Sequence, residues 1–76
     1  MISRAQVEVL SVLEPGGILS IGSVARSSRL TESQTRAAVL RLKSAGLIVP
    51  SGLLSRSGYQ ITDRGRHKLS THGRNS

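Results

Sequence analysis

The sequence contains no cysteine, no tryptophan and no phenylalanine, and Tyr59 is its one aromatic residue. The absence of thiols excludes disulfides, thiolate zinc sites and cysteine nucleophiles, and suits a reducing compartment. The near-absence of aromatics removes the platform on which RRM sheets and OB-folds stack bases. Apolar runs are short. The longest stretch of Leu, Ile and Val is Leu47-Ile48-Val49, whereas a bilayer-spanning helix needs about 20 apolar residues. Near the amino terminus, Ile2-Ser3-Arg4-Ala5-Gln6 offers no uninterrupted apolar core of the signal-peptide kind. The expected location is the cytoplasm.

Acidic residues are scarce too. Glu8, Glu14, Glu32 and Asp63 are the four, and they fall on separate expected elements, so no pair of carboxylates is placed for acid–base work. His67 and His72 stand five apart with no third ligand nearby, which falls short of a metal site. No Gly-x-x-x-x-Gly-Lys loop is present to cradle a nucleotide phosphate. Catalysis, a metal and a cofactor are therefore not expected, and no small-molecule ligand is evident.

What the sequence has in excess is arginine. Its 76 residues carry eleven Lys+Arg against four Asp+Glu, a net charge of +7, and nine of the eleven are arginine. A chain of this length forms one small domain that buries only about 60% of its unfolded surface. The charge favours a polyanionic partner. Arginine's planar fork fits phosphates and guanine edges better than a lysine does, which leans the choice toward nucleic acid over an anionic membrane.

Four helices and a hairpin can be placed along the chain. Ser3-x-x-Gln6 is a capping-box pattern that starts the first helix. Ile2, Ala5, Val9, Leu10, Val12 and Leu13 form its broad apolar face, with Val7 outside the stripe, and Pro15-Gly16-Gly17 ends it. Ile18-Leu19 suits a very short strand. A second helix runs from about Ile21 to Ser28, capped by Ser20 or Gly22, with Ile21, Val24 and Ala25 inward. Leu30 then plugs the core from a four-residue turn.

Thr31-x-x-Gln34 is a second capping box and opens the third helix. Thr35, Ala38, Val39, Leu42 and Ala45 form its narrow stripe, and Gly46 stands where a left-handed C-cap belongs. Leu47-Ile48-Val49 and Tyr59-Gln60-Ile61 read as strands of a hairpin, whose tip falls at Pro50–Gly52 or at Ser55–Gly58. Thr62-Asp63 opens a last helix reaching about Leu69. Residues 70–76 are expected to be a polar tail that need not order, outside a domain of residues 1–69.

The fold class is thus α+β, mainly α: a winged helix-turn-helix of three helices, a β-hairpin wing and a C-terminal helix. The stretch from Ile21 to Ile48 resembles the helix-turn-helix of MarR-like and PadR-like bacterial regulators. It shares their Ile-x-x-Val-Ala second helix (Ile21, Val24, Ala25), the Leu30-Thr31 turn, and the Leu-x-x-x-Gly-Leu-Ile ending (Leu42, Gly46, Leu47, Ile48). Tyr59-Gln60-Ile61-Thr62-Asp63-Arg64-Gly65 resembles the Tyr-x-Leu-Thr-x-x-Gly with which their wing passes into the next helix. The likeness covers residues 4 to 69. The long flanking helices through which those families dimerise are not within it.

The resemblance implies a sequence-specific regulator of double-stranded DNA, acting as a repressor by occupying its site, in a bacterial-type cytoplasm in association with the nucleoid. In this architecture the third helix, about residues 32–45, enters the major groove with the face opposite its core stripe. Ser33, Gln34, Arg36, Ala37 and Arg41 are the candidates for base contact. Arginine can take guanine O6 and N7, glutamine can take adenine N6 and N7, and an alanine methyl can touch thymine. Arg26, Ser28, Arg29, Thr31, Lys43 and, on the wing, Arg56 are the candidates for phosphate contact, the wing also being placed to enter the minor groove. Glu32 favours the helix dipole at the first turn. Arg64, Arg66 and Lys68 either extend this footprint or cover a helix end.

Leu40 breaks the pattern, being apolar on the groove-facing side. A thymine methyl contact and a protein interface both suit it. Val7, Leu10, Leu53 and Leu54 are candidates for a homodimer interface. Two rival readings stand beside DNA regulation: a winged helix that binds a protein, and a sequence-neutral nucleic-acid binder.

Overall fold

Helix α1 (Arg4–Leu13) begins where the side chains dictate. In the computed structural model, which describes residues 2–53 and 56–74, Ser3 Oγ accepts from the Gln6 backbone N–H at 3.2 Å and Gln6 Oε1 accepts from Ser3 N–H at 2.8 Å. Two otherwise unpartnered donors of the first turn are thereby satisfied. Helix α2 (Ile21–Ser28) is capped by Ser20, settling the choice between Ser20 and Gly22. Helix α3 (Glu32–Ser44) repeats the capping box through Thr31 and Gln34, both bonds at 3.0 Å.

The three helices close on one core. Val9, Leu10 and Leu13 from α1 meet Val24 from α2 and Ala38, Val39 and Leu42 from α3, with Leu47 and Ile48 beneath. Ile2, Ala5, Val12, Leu19, Ile21, Leu30, Tyr59, Ile61 and Leu69 pack half-buried at its margin. Thr35, also wholly buried, is tolerated there because its hydroxyl donates to the Thr31 carbonyl at 2.9 Å. The stripe of α3 stops one step short of expectation: Ala45 is the C-cap and is exposed. The chain has already left the helix there, and Gly46 takes the left-handed cap with φ 76°.

The hairpin differs most from the sequence reading. Strands β1 (Ile48–Leu53) and β2 (Arg56–Ile61) pair antiparallel from Ile48↔Ile61 to Leu53↔Arg56. Pro50, Ser51 and Gly52 lie inside β1, and Arg56, Ser57 and Gly58 lie inside β2; Ser55, the first residue of the second expected tip, lies outside the described residues. The reason lies in a third segment. Leu19 and Tyr59 exchange both backbone bonds, at 3.1 and 2.8 Å, which reduces the expected Ile18-Leu19 strand to one bridge.

That bridge turns the polar groups of Tyr59 away from β1, so Pro50 opposite it occupies a non-hydrogen-bonded position where its missing N–H costs nothing. Gly58 is needed for proximity, since a Cβ there would overlap the Leu19 carbonyl. Residues that usually mark turns are here used within strands.

Helix α4 (Asp63–Arg74) runs five residues past the expected end at Leu69, so residues 70–74 continue the helix. Thr62 joins it to the body. Its hydroxyl donates to the Gly46 carbonyl at 2.8 Å and accepts from Gly65 N–H at 3.0 Å, while its own N–H reaches the Leu47 carbonyl at 3.1 Å. Gly65 lets α4 cross the β1 entrance closely: a Cβ would overlap Leu47 O and crowd Ile61 Cγ1.

Candidate nucleic-acid interface

The buried stripe of α3 fixes what its other side presents. Taking about 100° per residue, Ser33, Leu40 and Ser44 point directly away from the core and Ala37 stands beside them. Arg36 and Lys43 flank this strip on one edge, Gln34 and Arg41 on the other. All eight are exposed. The strip itself carries small or apolar side chains, and the charges stand along its borders.

Two of the expected base-contacting side chains are already engaged. Arg36 Nη2 lies 2.7 Å from Glu32 Oε1, both side chains more than half exposed. Such a pair one turn apart contributes only about 0.2–0.5 kcal/mol, so it orients Arg36 without locking it, and the other edge of the guanidinium stays open. Gln34 Oε1 holds the capping box through Thr31 N–H. A two-bond contact of Gln34 with adenine needs that oxygen, whereas its amide nitrogen remains available. Beyond favouring the helix dipole, Glu32 thus pairs with Arg36, a contact that their i,i+4 spacing signals.

The turn before α3 sorts its residues sharply. Ser28 is not a phosphate ligand in this arrangement. It is buried, and its hydroxyl donates to the Val24 carbonyl at 2.7 Å, the back-bonding habit of serine in a helix. Arg26 and Arg29 are exposed, and Thr31 is exposed at the N-cap with its hydroxyl accepting from Gln34 N–H. Arg29 is the C-cap of α2 with φ 63°, the one non-glycine residue with positive φ among the described residues. A glycine or asparagine is the usual occupant of that conformation.

On the wing, Arg56 opens β2 opposite Leu53; their side chains and the whole of Leu54 lie outside what the structure describes. A groove of about 440 Å³ between the start of α2 and the hairpin gathers the hydroxyl residues Ser20, Ser51 and Ser57. Linear spacing gives no hint of that grouping, which arises from the Leu19–Tyr59 bridge.

Two arginines of α4 are spent elsewhere. Arg66 Nη1 donates to the Glu14 carbonyl at 2.6 Å, at the C-cap of α1, and lies 3.3 Å from the same residue's Oε2. Arg64 Nη1 reaches the Ala45 carbonyl, the C-cap of α3, at 3.5 Å. Of the two roles open to them, both cover helix ends. Of the suggested dimer residues, Leu10 is wholly buried in the core and has no surface to offer; the wide apolar face of α1 is consumed by α2, α3, α4 and β2. Val7 is half-buried. Among the described residues no group of three His, Cys, Asp or Glu could hold a metal ion, and no helix is long and apolar enough to cross a membrane.

Neither a sequence-family model nor a curated protein matches the chain. Solved structures do. BpsR of Bordetella bronchiseptica, a protein whose DNA binding is regulated by 6-hydroxynicotinic acid, superposes with a TM-score of 0.82 at 24% identity over 92% of this chain and 51% of its own. A MarR family transcriptional regulator from Silicibacter pomeroyi gives 0.81 at 27% identity, over 88% of this chain and 46% of its own. The PcaV transcriptional regulator of Streptomyces coelicolor, solved with its natural ligand, gives 0.80 at 25%, over 90% and 50%. The chain thus spans about half the length of the regulators it matches. In fold it is a winged helix-turn-helix of the kind that MarR-family transcriptional regulators carry.

Proposed function

We propose that the chain binds double-stranded DNA sequence-specifically and regulates transcription, as a repressor that occupies its site in a bacterial cytoplasm. The observation that carries this reading is the outer side of α3, an exposed strip bordered by Arg36, Arg41 and Lys43 on a helix whose opposite side is sealed in the core. In the proposed complex α3 lies in the major groove, with Arg36 on a guanine and Arg41, Ser33 and Ala37 near base edges. Arg26, Arg29 and Thr31 hold phosphates at the turn, Lys43 holds one beside α3, and Arg56 brings the wing to the backbone or the minor groove. Two copies on an inverted repeat complete the proposal, with half-sites about one helical turn apart.

The test is to capture a randomised duplex library on the protein at about 150 mM salt, a physiological ionic strength, and to sequence what is retained. An enriched motif is expected, and an inverted repeat within it establishes the homodimer. Retention without enrichment replaces the proposal with a sequence-neutral binder. No retention replaces it with a protein-binding winged helix. Affinity should also fall steeply with salt, each phosphate contact contributing about −0.9 to the slope of log K against log salt.

A further inference from the structure

Leu40 has no structural reason to be where it is. It is 62% exposed, more than Ile18 (45%) or Val49 (42%), the other large apolar residues on the surface among the described residues. Its position on α3 faces away from the core stripe of Thr35, Ala38, Val39 and Leu42, so it is not part of the core. A protein-docking patch is recognised by contiguous apolar area of several hundred Å². Among the described residues of α3 there is none beside Leu40: its neighbours along the strip are Ser33, Ala37 and Ser44, and the borders are Arg36 and Lys43 on one edge and Gln34 and Arg41 on the other. An isolated apolar group ringed by cations matches a partner that is anionic overall and apolar at one point.

Duplex DNA has such a point. Among the base edges of the major groove, thymine alone presents a methyl group, at C5. We propose that Leu40, with Ala37 one turn before it, reads a thymine methyl, and is thus a specificity-determining residue of the interface. The inference rests on α3 lying in the major groove. It explains why the outward strip carries small side chains around one leucine: Ser33, Ala37 and Ser44 allow the helix to approach closely enough for the leucine to seat on the methyl, while Arg36 and Arg41 reach past it on either side. The selection is made by desolvating one methyl, so it discriminates thymine from cytosine and from uracil by shape and apolarity.

The experiment uses the motif enriched from the randomised library. Each thymine in it is replaced in turn by deoxyuridine, which deletes the methyl and leaves every hydrogen-bonding group in place. Binding is titrated with the wild-type chain, with Leu40→Ala and with Arg36→Ala. At one thymine per half-site, uracil is expected to weaken wild-type binding about fourfold, the equivalent of one buried methyl. Leu40→Ala should lose the same factor on the thymine site and then be indifferent to uracil there. Because Leu40 is exposed, the variant should unfold at the wild-type temperature, which a thermal melt checks.

An equal uracil penalty in wild type and Leu40→Ala overturns the proposal, as does the absence of any penalty. If Arg36→Ala still relaxes base preference in either case, α3 remains the recognition helix and only the role of Leu40 fails. A library that yields no motif overturns the thymine contact together with the reading it rests on.

Discussion

Helices α3 and α4 carry the same residue type to opposite ends. On α3, Arg36 and Arg41 stand free of the fold: among the described residues Arg36 pairs with Glu32 of its own helix, and Arg41 is exposed. On α4, Arg64 and Arg66 fold back onto the last carbonyls of α3 and α1. The difference does not lie in the side chains. It follows from where each helix docks: α3 buries one narrow stripe and leaves its long outer side in solvent, whereas the start of α4 crosses next to the C-termini of two other helices. A guanidinium placed there meets orphan carbonyls at the negative end of a helix dipole. A count of arginines therefore overstates the interface, because part of the +7 charge belongs to the fold.

The comparison predicts a division of labour: changes on α4 move stability, and changes on α3 move DNA binding. Gly65→Val should have the largest effect. Its side chain would overlap the Leu47 carbonyl and crowd Ile61, and overpacking of this sort costs up to about 3 kcal/mol. In a domain this small the upper end of that cost lowers Tm by about 10–20 °C. A melt within a few degrees of wild type would mean that α4 does not cross β1 so closely. Arg36→Ala should lose about 1–3 kcal/mol of binding and relax preference at one base pair, with Tm nearly unchanged. Unaltered affinity and preference would remove Arg36 from the groove and break the comparison from the α3 side.

Arg66→Ala is the matching change on α4. Its side chain is 45% exposed, so screening reduces what it contributes to about 0.5–1 kcal/mol of stability. A loss of affinity with no loss of Tm would transfer Arg66 to the DNA footprint. Arg29 offers a sharper case because its backbone is strained. Arg29→Gly relieves a left-handed conformation that costs a side chain about 1 kcal/mol while giving back part of that through the more flexible unfolded chain. Tm is expected to hold or rise slightly while duplex affinity falls for all sequences. If affinity were unmoved, the arginine would lack any reason to occupy a glycine position.

What could be read in advance from the sequence divides along similar lines. Both capping boxes, the left-handed Gly46 and the Thr62 cap on Gly65 were legible because each is a local motif with a partner within four residues. The hairpin tip was not, because Pro50 and Gly58 answer to Leu19, some 30 to 40 positions away, and wear the composition of a turn while serving an edge strand and a close approach. Leu10 and Ser28 were misplaced for a related reason. A helical wheel says which side a residue faces but not how wide a face the neighbours will cover, and it gives no warning that a serine hydroxyl will turn back to its own helix. The site was legible where it sits opposite a clear stripe, on α3. It was ambiguous on α4, where only the docking of the helix decides between fold and partner.

The smallest expected effect tests the one contact that ties Arg36 to anything. Glu32→Gln removes a surface ion pair and a favourable charge in the first turn of α3, together worth about 0.5–1 kcal/mol of stability, or a few degrees of Tm at most. It also removes a negative charge from the edge of a surface proposed to lie against phosphates, and it releases Arg36 to the groove. Affinity at low salt should therefore rise modestly for every duplex, with the gain fading as salt is added. The opposite result has its own meaning. If Glu32→Gln weakens binding and blurs one base position, the carboxylate is aligning Arg36 on its guanine or accepting a cytosine amino group. The contrast between the helices would then sharpen: on α4 the partners of arginine are carbonyls of the fold, and on α3 the partner is itself part of the reading surface.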